Sequence, residues 1–431
     1  MTTSASTSPL PRIQARFDRP IVDLAGDVRF LIVDVEPPEE ERAPLAPLDL
    51  VLVIDVSGSM AGGKLEAVKT AVALLIERLG PNDRLWLVSF SSDVRVHFTA
   101  LAMSGAGGDL ARAEIAALHT TGMTNLSAGW LTGVTLLENP ADPARRRAVV
   151  LLSDGQANQG IVDPGELAEI ARRTGASGIP TTCIGVGNDY STQQLGAIAE
   201  CSGGRFHDAE TPEEILEVML GELVELGSIA LQNAELEISP SGAFAPEPLW
   251  TTVCERDGLR VTCPIGAVRA GAKRTLVLRI APVAALEGMM AVFSLRLRWT
   301  DPRTGARREL ECEPTALRYG DASSCRASDE DVLLTTRLWS ARIGRQIADL
   351  NEAGRYDEVR LVMAPQADQV AAHAQSVPAA AVVACDLHRL VAEGTRAMHV
   401  RDRKNLYVDN YKGMREEPEL RRSRGRGPKS Q

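Results

Sequence analysis

The sequence predicts an α/β domain with a doubly wound, mostly parallel sheet, inserted in a split antiparallel β-sandwich and followed by a C-terminal helical region. Three observations predict this fold class. Continuous apolar strands alternate with helical segments over 48–226, which is typical of a parallel sheet covered on both faces. Segments that alternate apolar and polar residues lie on both sides of that region and predict antiparallel strands. From 326 onward the apolar residues recur with helical spacing.

Composition and charge narrow the class of protein. The 431 residues are 44% hydrophobic and 24% charged, which is ordinary for a globular protein of about two to four domains. The net charge of −10 makes nucleic acid an unfavoured partner, because neutralising phosphates needs an excess of Lys and Arg. No apolar run approaches the ~20 residues of a membrane span, so no membrane partner is expected. The N-terminus lacks the pattern of a secretory signal, and the seven scattered cysteines suit reduced thiols. We therefore expect a cytoplasmic protein.

The first part of the split β domain lies at the N-terminus. Residues 1–11 are polar and rich in Pro and Ser, and we predict that they are disordered. Residues 12–47 contain alternating strands and then a charged, Pro-rich loop. Because a lone hairpin is only marginally stable in water, we predict that these strands join the sheet formed by 227–320.

Strands and helices alternate through the α/β domain at 48–226. The first strand, LDLVLVIDV, is apolar throughout, which indicates burial on both faces. The last helix of the domain begins at Thr211, and Glu214 three residues later predicts a capping box. Further strands are predicted at 84–90, 147–153, 180–186 and 204–207, and helices near 108–118, 125–138, 164–175, 191–201 and 211–226.

The C-terminal half changes character twice. Residues 227–320 contain six alternating segments separated by turn residues such as Asp257-Gly258, which predicts a small β-sandwich. Residues 326–404 are predicted to form a helical bundle whose first helix follows a Ser328 cap. Residues 405–431 are predicted to form a basic, disordered tail.

The residues with functional chemistry follow the buried strands of the α/β domain. Asp55 closes the first strand and precedes Ser57 and Ser59, Thr124 lies in the loop before the helix at 125–138, and Asp154 follows the strand at 147–153. Open α/β sheets bind ligands at the carboxyl edge, where these loops meet. Five oxygen donors suit a hard divalent cation and leave one coordination position for another group. Mg²⁺ is the favoured ion, with Mn²⁺ or Ca²⁺ as alternatives.

These three motifs point to a known family. DVSGS, TGMTN and LLSDG, in this order and on this strand–helix pattern, resemble the von Willebrand factor type A (VWA) domain and its metal-ion-dependent adhesion site (MIDAS). The resemblance implies that Ser57, Ser59 and Thr124 bind the ion directly, whereas Asp55 and Asp154 often act through water. The chain is similar to the intracellular bacterial branch of the family, many of whose members work beside AAA+ ATPases or in multi-protein stress and defence systems.

The resemblance implies a non-enzymatic function. The chain would be a metal-dependent adaptor or scaffold that grips an Asp or Glu of a partner protein through the bound ion. Partners of this kind include a subunit of an AAA+ ATPase or of another complex.

Two alternatives stay open from the residues alone: an Mg²⁺-dependent hydrolase, and contact with nucleic acid through the basic tail. An Mg²⁺-dependent phosphate or nucleotide hydrolase would use the same ion to activate water, but no general base or nucleophile is evident beyond the ligands. The segment Gly58 to Lys64 nearly matches a phosphate-binding P-loop, yet Leu65 stands where that motif needs Ser or Thr. The basic tail is the one segment that favours contact with nucleic acid.

Overall fold

The structure is a computed structural model that describes most of the chain as two compact units. The first unit holds the α/β domain and most of the β-sandwich, and the second holds the C-terminal helices. The described residues are 10–22, 28–38, 46–138, 145–187, 189–227, 229–242, 244–250, 254–282, 290–302, 304–321 and 325–414.

Three strands precede the α/β domain. They are β1 (Arg12–Phe17), β2 (Ile21–Val22) and β3 (Arg29–Glu36). β1 and β3 pair antiparallel, and β3 is buried along almost its whole length. A strand with so much buried surface needs a second layer, which the later β-sandwich strands supply. The predicted disorder of 1–11 falls mostly outside the described residues.

The α/β domain is a six-stranded sheet with helices on both faces. The strands are β4 (Leu48–Asp55), β5 (Arg84–Phe90), β6 (Val94–Ala102), β7 (Arg146–Ser153), β8 (Thr181–Val186) and β9 (Phe206–Ala209). Five of these strands run parallel and β6, at one edge, is antiparallel; the order is β6-β5-β4-β7-β8-β9. The helices are α1 (Lys64–Ile76), α2 (Gly107–Ala116), α3 (Leu126–Glu138), α4 (Pro164–Ala176), α5 (Thr192–Ser202) and α6 (Pro212–Gly227).

The central strand β4 explains why the predicted doubly wound sheet forms. Every residue of β4 is buried, so both of its faces must be covered. Leu52 and Ile54 belong to the core that includes the apolar face of α1. On the other face a Cβ added at Gly133 of α3 would lie 2.6 Å from Val53 Cγ2, so this helix touches the sheet directly. The predicted fold class is confirmed here.

The start of α6 follows the predicted cap with one difference. The Thr211 hydroxyl accepts a hydrogen bond from the Glu214 amide at 3.2 Å, as a helix cap should. The Glu214 carboxylate accepts from the amide of Glu210 at 2.8 Å, one residue before the position that a capping box uses.

The β-sandwich is split around the α/β domain, as predicted. The strands after the α/β domain are β10 (Ile229–Pro240), β11 (Phe244–Pro248), β12 (Glu255–Asp257), β13 (Arg260–Arg269), β14 (Arg274–Pro282), β15 (Met290–Thr300), β16 (Arg307–Glu311) and β17 (Thr315–Tyr319). One sheet has the order β1-β3-β14-β11, and the other has β12-β13-β10-β15-β17-β2 with β16 also paired to β15. β2 pairs parallel with β17.

An aromatic cluster joins the two sheets of the sandwich. Phe17 of β1 meets Phe293 of β15 edge-on, with ring centroids 5.1 Å apart. Phe244 of β11 lies 5.7 Å from Phe293 and stacks on Tyr319 of β17 at 5.5 Å. The N-terminal segment therefore contributes to a core that is otherwise built from residues more than 200 positions later.

The helical unit extends further than the sequence indicates. The Ser328 hydroxyl caps α7 by accepting from the Asp331 amide at 3.0 Å, as predicted. The predicted start of a disordered tail at 405 is wrong, because α11 continues to Met414. The helices are α7 (Asp329–Glu352), α8 (Tyr356–Glu358), a π-helical turn (Val359–Met363), α9 (Ala364–Ala374), α10 (Pro378–Gly394) and α11 (Val400–Met414).

Packing explains why α11 persists within a charged segment. Tyr407, Val408, Tyr411 and Met414 are all buried and recur with helical spacing. The buried Arg345 guanidinium of α7 lies over the rings of Tyr407 and Tyr411, at 5.0 and 5.6 Å from their centroids. The remainder of the predicted tail, 415–431, lies outside the described residues. No helix in the described ranges has both the length and the apolar character that crossing a bilayer requires.

Candidate metal site

The site forms where the loops after β4 and before α3 are tied together. The Thr121 amide donates to the Val56 carbonyl at 2.6 Å, and the Gly58 amide donates to the Gly122 carbonyl at 3.2 Å. A short 3₁₀ turn over Gly58–Met60 then leads toward α1. These backbone bonds hold the DVSGS and TGMTN segments side by side before any side chain contributes.

Asp55 is the buried centre of the site. Its Oδ1 accepts from the Ser57 amide at 2.8 Å, and its Oδ2 accepts from the Ser153 hydroxyl at 2.6 Å. The side chain has no solvent exposure. Burial raises the pKa of Asp55 above its usual value, and the nearby charge of Asp154 raises it further, although the bonds from Ser153 and Ser57 oppose the shift.

A chain of hydroxyls links the first loop to Asp154. The Oγ atoms of Ser57 and Ser59 are 3.0 Å apart, and the Ser59 hydroxyl donates to Asp154 Oδ1 at 2.7 Å. Asp154 is fully buried, whereas Ser59 is exposed, so the cluster reaches from the sheet edge to solvent.

Thr124 is held in place by its backbone. Its amide donates to Asn158 Oδ1 at 3.1 Å, and its carbonyl accepts from the Asn158 amide at the same distance. A Cβ added at Gly155 would lie 3.4 Å from Thr124 Oγ1 and 3.3 Å from Ser59 Oγ. The two hydroxyls therefore face the same glycine, and a larger side chain there would crowd both.

The structure brings all five predicted site residues together. Sequence reasoning missed three further residues that shape the site: Ser153, Asn158 and Lys64. Ser153 lies within the LLSDG motif but was given no role in the site, and Asn158 carried no signal, because an Asn in a loop is common for local reasons. Lys64 did carry a signal, since it ends the glycine-rich segment that nearly matches a P-loop.

Lys64 places a positively charged side chain beside the site. Its Nζ donates to Asp154 Oδ2 at 2.5 Å and reaches Asp189 Oδ2 at 3.3 Å. Burial lowers the pKa of Lys64, but the bonds and charges of Asp154 and then Asp189 outweigh burial and raise the pKa overall. Lys64 is therefore positively charged at neutral pH and is paired first with the buried carboxylate.

The donor set fits a divalent cation. Two buried carboxylates and three hydroxyls supply only oxygen atoms, which hard ions such as Mg²⁺ prefer. Asp55 and Asp154 repel each other electrostatically, and Lys64 is bonded to only one of them. An added positive charge between them would relieve this repulsion. Mg²⁺, Mn²⁺ or Ca²⁺ would be held by Ser57, Ser59 and Thr124, with Asp55 and Asp154 binding directly or through water.

A known family model matches the α/β domain. Residues 49–220 match the family model described as von Willebrand factor type A domain. The chain thus contains a VWA domain.

Relatives of known structure share the fold over nearly the whole chain. A von Willebrand factor type A protein from Catenulispora acidiphila aligns with a TM-score of 0.68 and 17% identity, covering 94% of this chain and 98% of that one. The ArnB paralog VWA2 from Sulfolobus acidocaldarius aligns over the same shares with a TM-score of 0.58 and 16% identity. At these identities the likeness establishes the fold alone.

Curated relatives match shorter stretches. An uncharacterized protein of Synechocystis is 26% identical over 288 residues, which are 64% of this chain and 67% of that protein. Human inter-alpha-trypsin inhibitor heavy chain H3 is 33% identical over 154 residues, which are 34% of this chain. The match spans only 17% of the length of the human protein.

Proposed function

We propose that the chain is a metal-dependent protein-binding module that acts as an adaptor or scaffold. A divalent cation, with Mg²⁺ favoured, would bind at Asp55, Ser57, Ser59, Thr124 and Asp154 and would take a carboxylate from a partner's Asp or Glu. The observation that carries the proposal is the convergence of oxygen atoms from three separate loops on two buried carboxylates. The proposal includes a cytoplasmic setting and a partner such as a subunit of an AAA+ ATPase complex.

The proposed ligands favour the binding of an acidic group by the ion. Both oxygens of Asp55 accept hydrogen bonds from Ser57 and Ser153, and both oxygens of Asp154 accept from Ser59 and Lys64. These bonds hold both carboxylates in place beside the proposed ligands, as the binding of an ion requires. An ion held by neutral hydroxyls keeps much of its positive charge, which favours a negatively charged ligand from outside.

A pair of threonine variants tests the proposal. Thr124→Ala removes one proposed ligand, and Thr135→Ala is the control, because its hydroxyl only donates to the Leu131 carbonyl within α3. Calorimetric titration with Mg²⁺ and Mn²⁺ should show binding to the wild type and the control but a loss of at least about tenfold in affinity for Thr124→Ala. Both variants should keep the wild-type circular dichroism spectrum.

Two results would contradict the proposal, and each concerns a different part of it. Equal cation affinity in Thr124→Ala and the wild type would overturn the proposed site. Mg²⁺-dependent hydrolysis of p-nitrophenyl phosphate or ATP, present in the wild type and absent in Thr124→Ala, would overturn the non-enzymatic function and favour the hydrolase.

A further inference from the structure

The glycine-rich segment before α1 positions Lys64, a residue that is not among the proposed metal ligands. Gly62 and Gly63 adopt positive φ values of 75° and 100°, and Gly63 caps α1, so the chain turns sharply and places Lys64 in the first turn of the helix. A Cβ added at Gly187 would lie 3.1 Å from Lys64 Cε, so a glycine in the loop after β8 leaves room for the lysine stem. Glycines on two loops thus give this side chain its path to Asp154.

Lys64 occupies the same carboxylate that a divalent ion needs. Its ammonium donates to Asp154 Oδ2 at 2.5 Å, while Asp154 Oδ1 is bound by the Ser59 hydroxyl at 2.7 Å. Lys64 is 26% exposed and Asp154 is fully buried, so solvent screens this pair only partly. A cation entering beside Ser59 and Asp154 would share Asp154 with the ammonium and be repelled by it.

We propose that Lys64 is an internal cation that competes with the divalent ion for Asp154 and so sets the ion concentration at which the site loads. This inference rests on the proposed function, because it concerns the regulation of the same site. Lys64 acts on the ion through Asp154 and is not itself a ligand. The exposed carboxylate of Asp189, 3.3 Å from Lys64 Nζ, offers the ammonium a second partner when an ion takes Asp154.

The affinities of four proteins for Mg²⁺ and Mn²⁺, measured with no other ligand present, test the inference. Lys64→Met keeps the length of the stem and removes the charge, Lys64→Arg keeps the charge, and Lys69→Met is the control on the same helix, where Lys69 pairs with Glu66 at 2.8 Å. Titration calorimetry with Mg²⁺ and with Mn²⁺ gives the dissociation constant for each variant and the wild type. We expect Lys64→Met to bind both ions at least about tenfold more tightly, since one repelling unit charge has gone. Lys64→Arg and Lys69→Met should bind like the wild type.

The outcomes separate this inference from the proposed function. If Lys64→Met binds the ions as weakly as the wild type, or more weakly, the competition is disproved while the metal site stands. If none of the four proteins binds Mg²⁺ or Mn²⁺, the proposed function fails and this inference fails with it. Thermal melting of each variant distinguishes a change in ion affinity from a loss of folded protein.

Discussion

Glycine residues in α3 determine how closely that helix approaches the sheet. A Cβ added at Gly129 would lie 2.5 Å from Phe90 Cγ and 2.7 Å from Phe90 Cβ, and Phe90 is fully buried. Real Cβ atoms do not approach that closely, so either the helix or the ring must move. Sequence patterns predict α3 but do not show that this position lacks room for a methyl group.

We predict that Gly129→Ala destabilises the protein by about 1–3 kcal/mol through overpacking. Gly221→Ala is the matched control, because nothing lies within 4 Å of the added Cβ on α6. That control should raise the free energy of unfolding by about 0.4–1 kcal/mol, since alanine favours helix and restricts the unfolded chain. Urea unfolding followed by circular dichroism measures both changes. An unchanged midpoint for Gly129→Ala would show that the contact relaxes freely.

At the residue scale the candidate site was largely predictable. Asp55 ends a buried strand, Ser57 and Asp154 follow buried strands, and the strand ends of a parallel sheet share one edge, so the proximity of these residues follows from the fold. The ammonium of Lys64 on Asp154 did not follow, because it depends on the left-handed turn at Gly62 and Gly63 and on the room beside Gly187.

At the scale of elements, a buried ionic network fastens α6 to the edge of the α/β sheet. Glu222 of α6 accepts from the Thr182 hydroxyl of β8 at 2.7 Å and contacts His207 Nε2 of β9 at 2.9 Å. The Arg205 guanidinium lies 3.8 Å away. Burial alone would raise the pKa of Glu222, but the bond and charge of His207, with Arg205 and Thr182, lower it to about 2.

This network predicts a specific acid sensitivity. Because the pKa of Glu222 is lower in the folded protein than its ordinary value of 4.5, ionised Glu222 stabilises the fold fully above that value. The stabilisation is lost as pH falls from about 4.5 toward about 2, where the folded protein also takes up the proton.

Glu222→Gln tests this prediction. The variant should unfold at lower urea concentration at neutral pH, and its stability should fall less steeply than that of the wild type between about pH 5 and about pH 3. Glu213→Gln, an exposed change in the first turn of the same helix, is the control. Parallel stability–pH curves for the wild type and Glu222→Gln would contradict the assigned cause.

At the scale of the whole molecule, both sheets of the β-sandwich are built from strands at the two ends of the first unit, so each end needs the other to complete its sheets. β1 and β3 supply two of the four strands of one sheet, and β2 closes the other sheet beside β17. Phe17 packs within the aromatic cluster whose other members belong to strands after the α/β domain. The α/β sheet, in contrast, takes all six of its strands from 48–209.

We therefore predict opposite results for two truncations. A protein lacking residues 1–36 should lose the cooperative unfolding of the β-sandwich, because half of one sheet and part of the core are missing. Residues 46–227 expressed alone should remain folded, because that sheet keeps every strand. Circular dichroism melting and limited proteolysis measure both, with a protein lacking only 1–9 as the control. A wild-type melting profile after removal of 1–36 would show that these strands are dispensable.

The sequence by itself determined the class of the fold, the order of its segments and the five oxygen-bearing residues at the sheet edge. Burial on two faces, alternation and helical spacing are local periodic signals, and they can be followed along a single chain. The tertiary structure decided that α11 persists to Met414, where Lys64 places its charge and which buried groups hold α6. Those outcomes depend on contacts between residues far apart in sequence, such as Arg345 with Tyr407 and Glu222 with Thr182, and no local pattern records them.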